Sequence, residues 1–115
     1  MTESGPNDLP QEVYHDDWSV EQIEQLFLDL AEGAEVEHVQ LKRKSESGAT
    51  RSDPIADQQV SLREASDAFQ RGDAIAIQIR YRFEGQVWCD TLMVREQDVR
   101  IVRTPIPPWL ANPPL

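Results

Sequence analysis

The stretch Ile75-Ala76-Ile77-Gln78-Ile79-Arg80-Tyr81-Arg82-Phe83 alternates large apolar side chains with small or polar ones. A period of two sends successive side chains to opposite faces, so this segment reads as a half-buried strand rather than an amphipathic helix. β-Branched and aromatic residues dominate it, as a pleated surface favours. A short turn at Glu84-Gly85 leads into a second strand over about 87–95, and Glu96-Gln97 leads into a third over about 99–104. Strands joined by such short turns run antiparallel.

Upstream the period changes. Val20, Ile23, Leu26, Phe27 and Leu30 recur at spacings of three and four, which predicts a helix closing near Gly33. Ser19 can accept from the first backbone N–H groups while Gln22 bonds back, a capping box. Residues 35–44 read as a strand in which Val39 and Leu41 alternate with polar neighbours, and Val36 breaks the alternation in the manner of a bulge. A second capping box, Ser61 with Glu64, opens a short helix with Leu62, Ala65, Ala68 and Phe69 on its apolar stripe, closed by Arg71-Gly72. The order α-β-α-β-β-β predicts an α+β domain with a mostly antiparallel four-stranded sheet and two helices packed on one face.

This places a single α+β domain at residues 18–104, between an acidic, flexible arm (1–17) and a tail (105–115). The end of the chain, TPIPPWLANPPL, has five prolines in twelve residues and suits an extended, polyproline-like segment that docks. Residues 45–58 form a long connection with turn chemistry at Gly48 and Asp53-Pro54.

Charge is distributed unevenly. Residues 1–37 hold eleven acids and no Lys or Arg, whereas the rest holds eleven basic residues against ten acids, a net of +1. That block serves solubility, or lies against the arginines of the later sheet, or imitates a polyanion. Direct nucleic-acid binding is not expected, because such binders present a concentrated basic face. No apolar run approaches the roughly 20 residues of a membrane-spanning helix, the N-terminus lacks the pattern of a signal peptide, and Cys89 has no partner for a disulfide. A cytoplasmic protein is the expectation.

The hairpin register decides what its polar residues do, since a slip of one residue reverses both faces. A two-residue loop, Glu84-Gly85, pairs Tyr81 with Trp88 and Ile79 with Asp90. A three-residue loop, Glu84-Gly85-Gln86, pairs Arg82 with Trp88 and Arg80 with Asp90. Gly in the second position suits the tighter turn, but it puts a carboxylate on the isoleucine face, where an unpaired Asp costs several kcal/mol. On that ground the three-residue register is preferred, with Gln86 in a left-handed conformation at about 1 kcal/mol. Arg80 then pairs with Asp90, Arg82 stacks on Trp88, and Arg103 approaches Asp90 from the third strand.

In that register Trp88, Leu92 and Val94 share a face with arginines, the composition of an interaction hot spot. The leading expectation is a non-enzymatic protein-interaction or regulatory domain whose contact residues are Arg80, Arg82, Trp88, Asp90, Leu92 and Arg103, with Trp109 of the tail. The partner is a protein, and self-association through the same face is a further possibility. Two alternatives come from other classes: a small-ligand binder or weak enzyme with a pocket between the sheet and the first helix, and an acidic mimic of nucleic acid that inhibits a DNA-binding protein. No catalytic, metal or cofactor motif is present. His15-Asp16-Asp17 and His38 lack a recognised ligand spacing, and Cys89 points into the core unless the register reverses, which would set it beside Arg80.

Overall fold

The computed structural model describes residues 13–44 and 58–107. Two helices and six strands follow one another as β1 (Tyr14–Trp18), α1 (Val20–Gly33), β2 (Glu35–Arg43), β3 (Gln58–Gln59), α2 (Leu62–Gln70), β4 (Ala74–Phe83), β5 (Gln86–Val94) and β6 (Val99–Ile106). The strands form one sheet in the order β1-β6-β5-β4-β2-β3, and every neighbouring pair is antiparallel. The class is α+β, as the sequence predicts, but the sheet has six strands rather than four. Both additional strands lie at its edges.

Neither edge strand carries a period-two signal. β1 reads YHDDW and is held by main-chain pairing to β6, with Asp17 bridging to Arg95 (2.9 Å) and Arg100 (3.3 Å). β3 is two glutamines beside Gln40 and Leu41. Backbone pairing is indifferent to side-chain pattern, so such strands leave little trace in sequence. The sheet thereby takes in residues 14–17, read from sequence as the end of the arm, and Pro105-Ile106, read as the start of the tail.

The helices begin where their caps require. Ser19 accepts from the Gln22 N–H and the Gln22 side chain accepts from the Ser19 N–H, completing the first box. The second is half made: Ser61 accepts from the Glu64 N–H, but the Glu64 carboxylate reaches Arg43 at 3.1 Å. α2 ends in a Schellman motif, with Gly72 at φ 75°, its N–H on the Phe69 carbonyl and the Asp73 N–H on the Ala68 carbonyl.

One sheet face and both helices enclose the core: Ile23, Leu26, Phe27 and Leu30 of α1, Ala65, Ala68 and Phe69 of α2, and inward residues of β2, β4, β5 and β6. Burying each large apolar side chain contributes about 1.5–3 kcal/mol. The bulge expected near Val36 is present, with Glu37 as the extra residue between the Val36–Tyr81 and His38–Arg80 pairs. A second irregularity at Ile75 turns that residue out to 40% exposure, so it leaves the isoleucine row to which its period assigned it.

The hairpin register is the one the sequence argument set aside. Glu84 (φ 52°) and Gly85 (φ 81°) form a two-residue turn with both residues left-handed, the type I′ geometry that matches strand twist. Tyr81 pairs with Trp88 and Ile79 with Asp90. Asp90 therefore enters the core, where it is fully buried. The objection to this register was an unpaired buried carboxylate. Arg103 of β6, directly opposite, removes it.

Candidate functional site

Asp90, Arg103 and Tyr81 form one hydrogen-bonded cluster at the centre of the helix-covered face. Arg103 donates from Nε and Nη2 to the two Asp90 oxygens, both at 2.8 Å, a bidentate fork. The Tyr81 hydroxyl, diagonal to Asp90 across the hairpin, donates to the same carboxylate at 3.1–3.2 Å. Burial, followed by the charge of Asp90, pushes the Tyr81 phenol well above its ordinary value, so it remains a donor. The Asp90 hydrogen bonds hold the Arg103 guanidinium firmly charged. All the charge of this cluster cancels within it.

Above the cluster lies a cleft of about 400 Å³ between α1 and the sheet. Tyr81, Phe83 and Arg103 line its sheet side; Gln22, Gln25, Leu26, Asp29 and Leu30 line its helix side, with Trp18 and Ala34 at its ends. α1 starts beside the Trp18–Val99 pair at the β1 edge and ends at the start of β2, where Glu35 pairs with Arg82 next to the hairpin turn. Phe83, the last residue of β4, is 43% exposed, and Trp88 is half-buried between Tyr81 and Pro105 in the neighbouring strands. On the β1 side the Trp18 indole donates to the Tyr14 hydroxyl at 3.1 Å, and the Arg103 guanidinium carbon stands 6.0 Å from the Trp18 ring centre. Among the described residues Arg103 Nη1 and the Gln22 amide nitrogen have no hydrogen-bond acceptor. The cleft thus combines aromatic and aliphatic walls with donors fixed at its floor and rim.

The residues expected from sequence to form one contact face are divided between two. Asp90 and Leu92 are fully buried in the core, Trp88 packs beside it, and Arg103 lines the cleft. Arg80 and Arg82 lie on the opposite face of the sheet. Arg80 faces Cys89 rather than Asp90, Arg82 faces Val87 rather than Trp88, and both reach Glu37, at 3.8 and 3.3 Å. The one-residue difference in loop length causes this redistribution. Trp109 lies outside the described residues, as do positions 1–12 of the arm and 45–57 of the long connection.

Cys89 does sit opposite Arg80, yet burial and the neighbouring Asp90 raise its thiol pKa, outweighing the arginine. A nucleophilic thiolate is not what this environment favours. Among the described residues no group of three or more His, Cys, Asp or Glu side chains is arranged to hold a metal ion, and no helix is long and apolar enough to cross a membrane.

The cleft residues Trp18, Gln22, Gln25 and Phe83 were missed in sequence. One signal was available: Tyr81 places a hydroxyl on an otherwise aliphatic row, and a buried hydroxyl requires a polar partner on the same face.

The chain matches no family model, no curated protein and no solved structure.

Proposed function

We propose that this chain is a non-enzymatic, cytoplasmic protein-interaction domain that holds an uncharged apolar segment of a partner in the cleft between α1 and the sheet. The observation that carries this reading is the cleft itself: aromatic walls over a floor whose one buried carboxylate is already neutralised by Arg103. Because Asp90 and Arg103 cancel, Asp29 is left as the net charge of the lining. An anionic ligand gains nothing there. An apolar segment with free backbone carbonyls gains burial against Phe83 and Leu26 and hydrogen bonds from Arg103 and Gln22.

The cleft volume also falls within the ~300–1,000 Å³ of small-molecule sites, which favours a small apolar ligand as the second reading. The polyanion-mimic reading loses support, because Asp17 and Glu37 of the acidic block are paired with arginines of the sheet.

The test is selection of displayed peptides on the folded chain, followed by titration against two single variants. Phe83→Asp changes an exposed cleft residue and is expected to abolish binding; Arg82→Ala, on the other sheet face, is expected to leave it unchanged. Peptides indifferent to Phe83→Asp but lost with Arg82→Ala would move the contact to the opposite face. Failure to select any peptide, together with small-molecule hits that compete at Phe83, would establish the second reading.

A further inference from the structure

α1 has a second side, turned away from the cleft and toward α2, whose chemistry differs from that of the cleft. We propose that the groove between α1 and α2 docks a basic amphipathic helix of a partner protein, apolar along one face and flanked by Lys or Arg.

The groove has an apolar floor. Phe27, Leu28 and Ala31 of α1 and Leu62 of α2 line a depression of about 460 Å³, with the exposed side chains of Arg63 and Asp67 at its edge. Phe27 is 4% exposed, and its ring packs against Phe69 at 6.0 Å between centres. Leu28 stands beside it at 57% exposure, the most exposed large apolar side chain among the described residues. Two packed helices with a leucine raised at their seam offer a place for the i, i+3, i+4 and i+7 anchors of a third helix to bury.

Acids surround that floor. α1 carries Glu21, Glu24, Asp29 and Glu32 and no Lys or Arg. Leu28 lies one helical turn from Glu24 on one side and from Glu32 on the other, so carboxylates bracket the apolar anchor. Glu24, Glu32 and Asp67 against Arg63 leave a net charge of −2 around the groove. On the sheet, acids are matched: Asp17 by Arg95 and Arg100, Glu37 by Arg80 and Arg82, Asp90 by Arg103. Among the described residues none of the four α1 acids forms an ion pair.

This pattern conflicts with the helix that carries it. Glu21 with Glu24, and Asp29 with Glu32, are like charges at the i, i+3 spacing and repel, and Glu32 stands in the last turn, at the negative end of the helix dipole, where a cation is favoured. A cationic partner relieves all three conflicts, and local rules broken without a return inside the chain are characteristic of functional surfaces. The chain supplies no matching cation of its own beyond the described residues: positions 1–12 hold three acids and no Lys or Arg, 45–57 hold three acids against Arg51, and 108–115 are uncharged. A second copy presents sheet arginines already paired with its own acids. Polyanions and anionic membranes are repelled. Charge and shape together leave another protein's basic helix as the complement.

The experiment titrates three synthetic peptides into the full chain by calorimetry: a helix former with leucines at i, i+3, i+4 and i+7 flanked by lysines, the same peptide with glutamate for each lysine, and the lysine peptide with a central proline. The lysine peptide alone is expected to bind, gaining helical circular dichroism as it does. Leu28→Gln, a change at an exposed position that leaves the fold intact, should weaken it about tenfold, as should Glu24→Gln with Glu32→Gln, whereas Phe83→Asp in the cleft should leave it unchanged. Equal binding of the glutamate or proline peptide, indifference to Leu28→Gln, or no binding of the lysine peptide would overturn the proposal. So would dimers in sedimentation that Leu28→Gln abolishes, which would assign the groove to a second copy. Lysine-peptide binding lost with Phe83→Asp but kept with Leu28→Gln would place the peptide in the cleft and overturn the groove alone. The cleft reading stands or falls separately, on the displayed peptides and Phe83→Asp.

Discussion

Replacing Arg103 with methionine keeps an unbranched stem in the wall of the cleft and removes the fork that satisfies Asp90. Asp90 is fully buried and accepts from Arg103 at 2.8 Å on both oxygens, whereas Tyr81 can give it only one proton. Stripping one member from a buried ion pair costs about 3–5 kcal/mol, because the other is left as an uncompensated charge. The Arg103 side chain is 28% exposed, so water can approach the vacated position and the lower end, about 3 kcal/mol, is expected. A domain of this size has about 5–10 kcal/mol in all, so the variant loses a large part of its margin and melts roughly 12–20 °C lower.

Asp90→Leu should cost less, about 1–2 kcal/mol, since Arg103 can turn its head group toward solvent and the main loss is the Tyr81 hydrogen bond. The double variant should recover much of the Arg103→Met loss, giving a coupling of about 2 kcal/mol in a double-mutant cycle measured by urea and thermal unfolding. Arg103→Met costing less than about 1 kcal/mol, or the two single effects simply adding, would refute the reasoning that this cluster is what admits Asp90 to the core.

Two predictions concern the hairpin and its cluster. Glu84→Asn places the residue best suited to the first position of a type I′ turn at φ 52° and should raise stability by about 0.5–1 kcal/mol in urea unfolding; a loss instead would argue for a longer loop. Tyr81 has a raised pKa in the folded chain against 10.0 when unfolded, so its contribution is fully present below pH 10 and is lost as pH rises through the folded value. Stability should therefore fall by up to about 1.4 kcal/mol per pH unit above 10 more steeply in the native chain than in Tyr81→Phe, and parallel pH profiles for the two would contradict the assignment.

Much of the secondary structure is legible in the residues themselves. Ser19 and Ser61 mark both helix starts, Gly72 marks the end of α2, Val36 announces the bulge, and the Ile77-Ile79-Tyr81 row defines the central strand. Each of these signals is local: a cap, a positive φ or a period is written within a few residues. The edge strands β1 and β3 were not legible, because main-chain pairing to an existing sheet asks little of side-chain pattern.

The hairpin register shows where local reading stops. Glu84-Gly85 already favoured the two-residue turn, and the argument against it rested on the energy of Asp90 in isolation. That energy depends on Arg103, thirteen residues away on another strand, and on Tyr81 across the turn. From this followed the division of Arg80 and Arg82 from Trp88, and the cleft beside Phe83. The sequence alone determined the helices, the central strands and the residues able to neutralise one another. Only the tertiary structure decided which of them meet, because the cost of burying a charge depends on the groups that the whole fold brings around it.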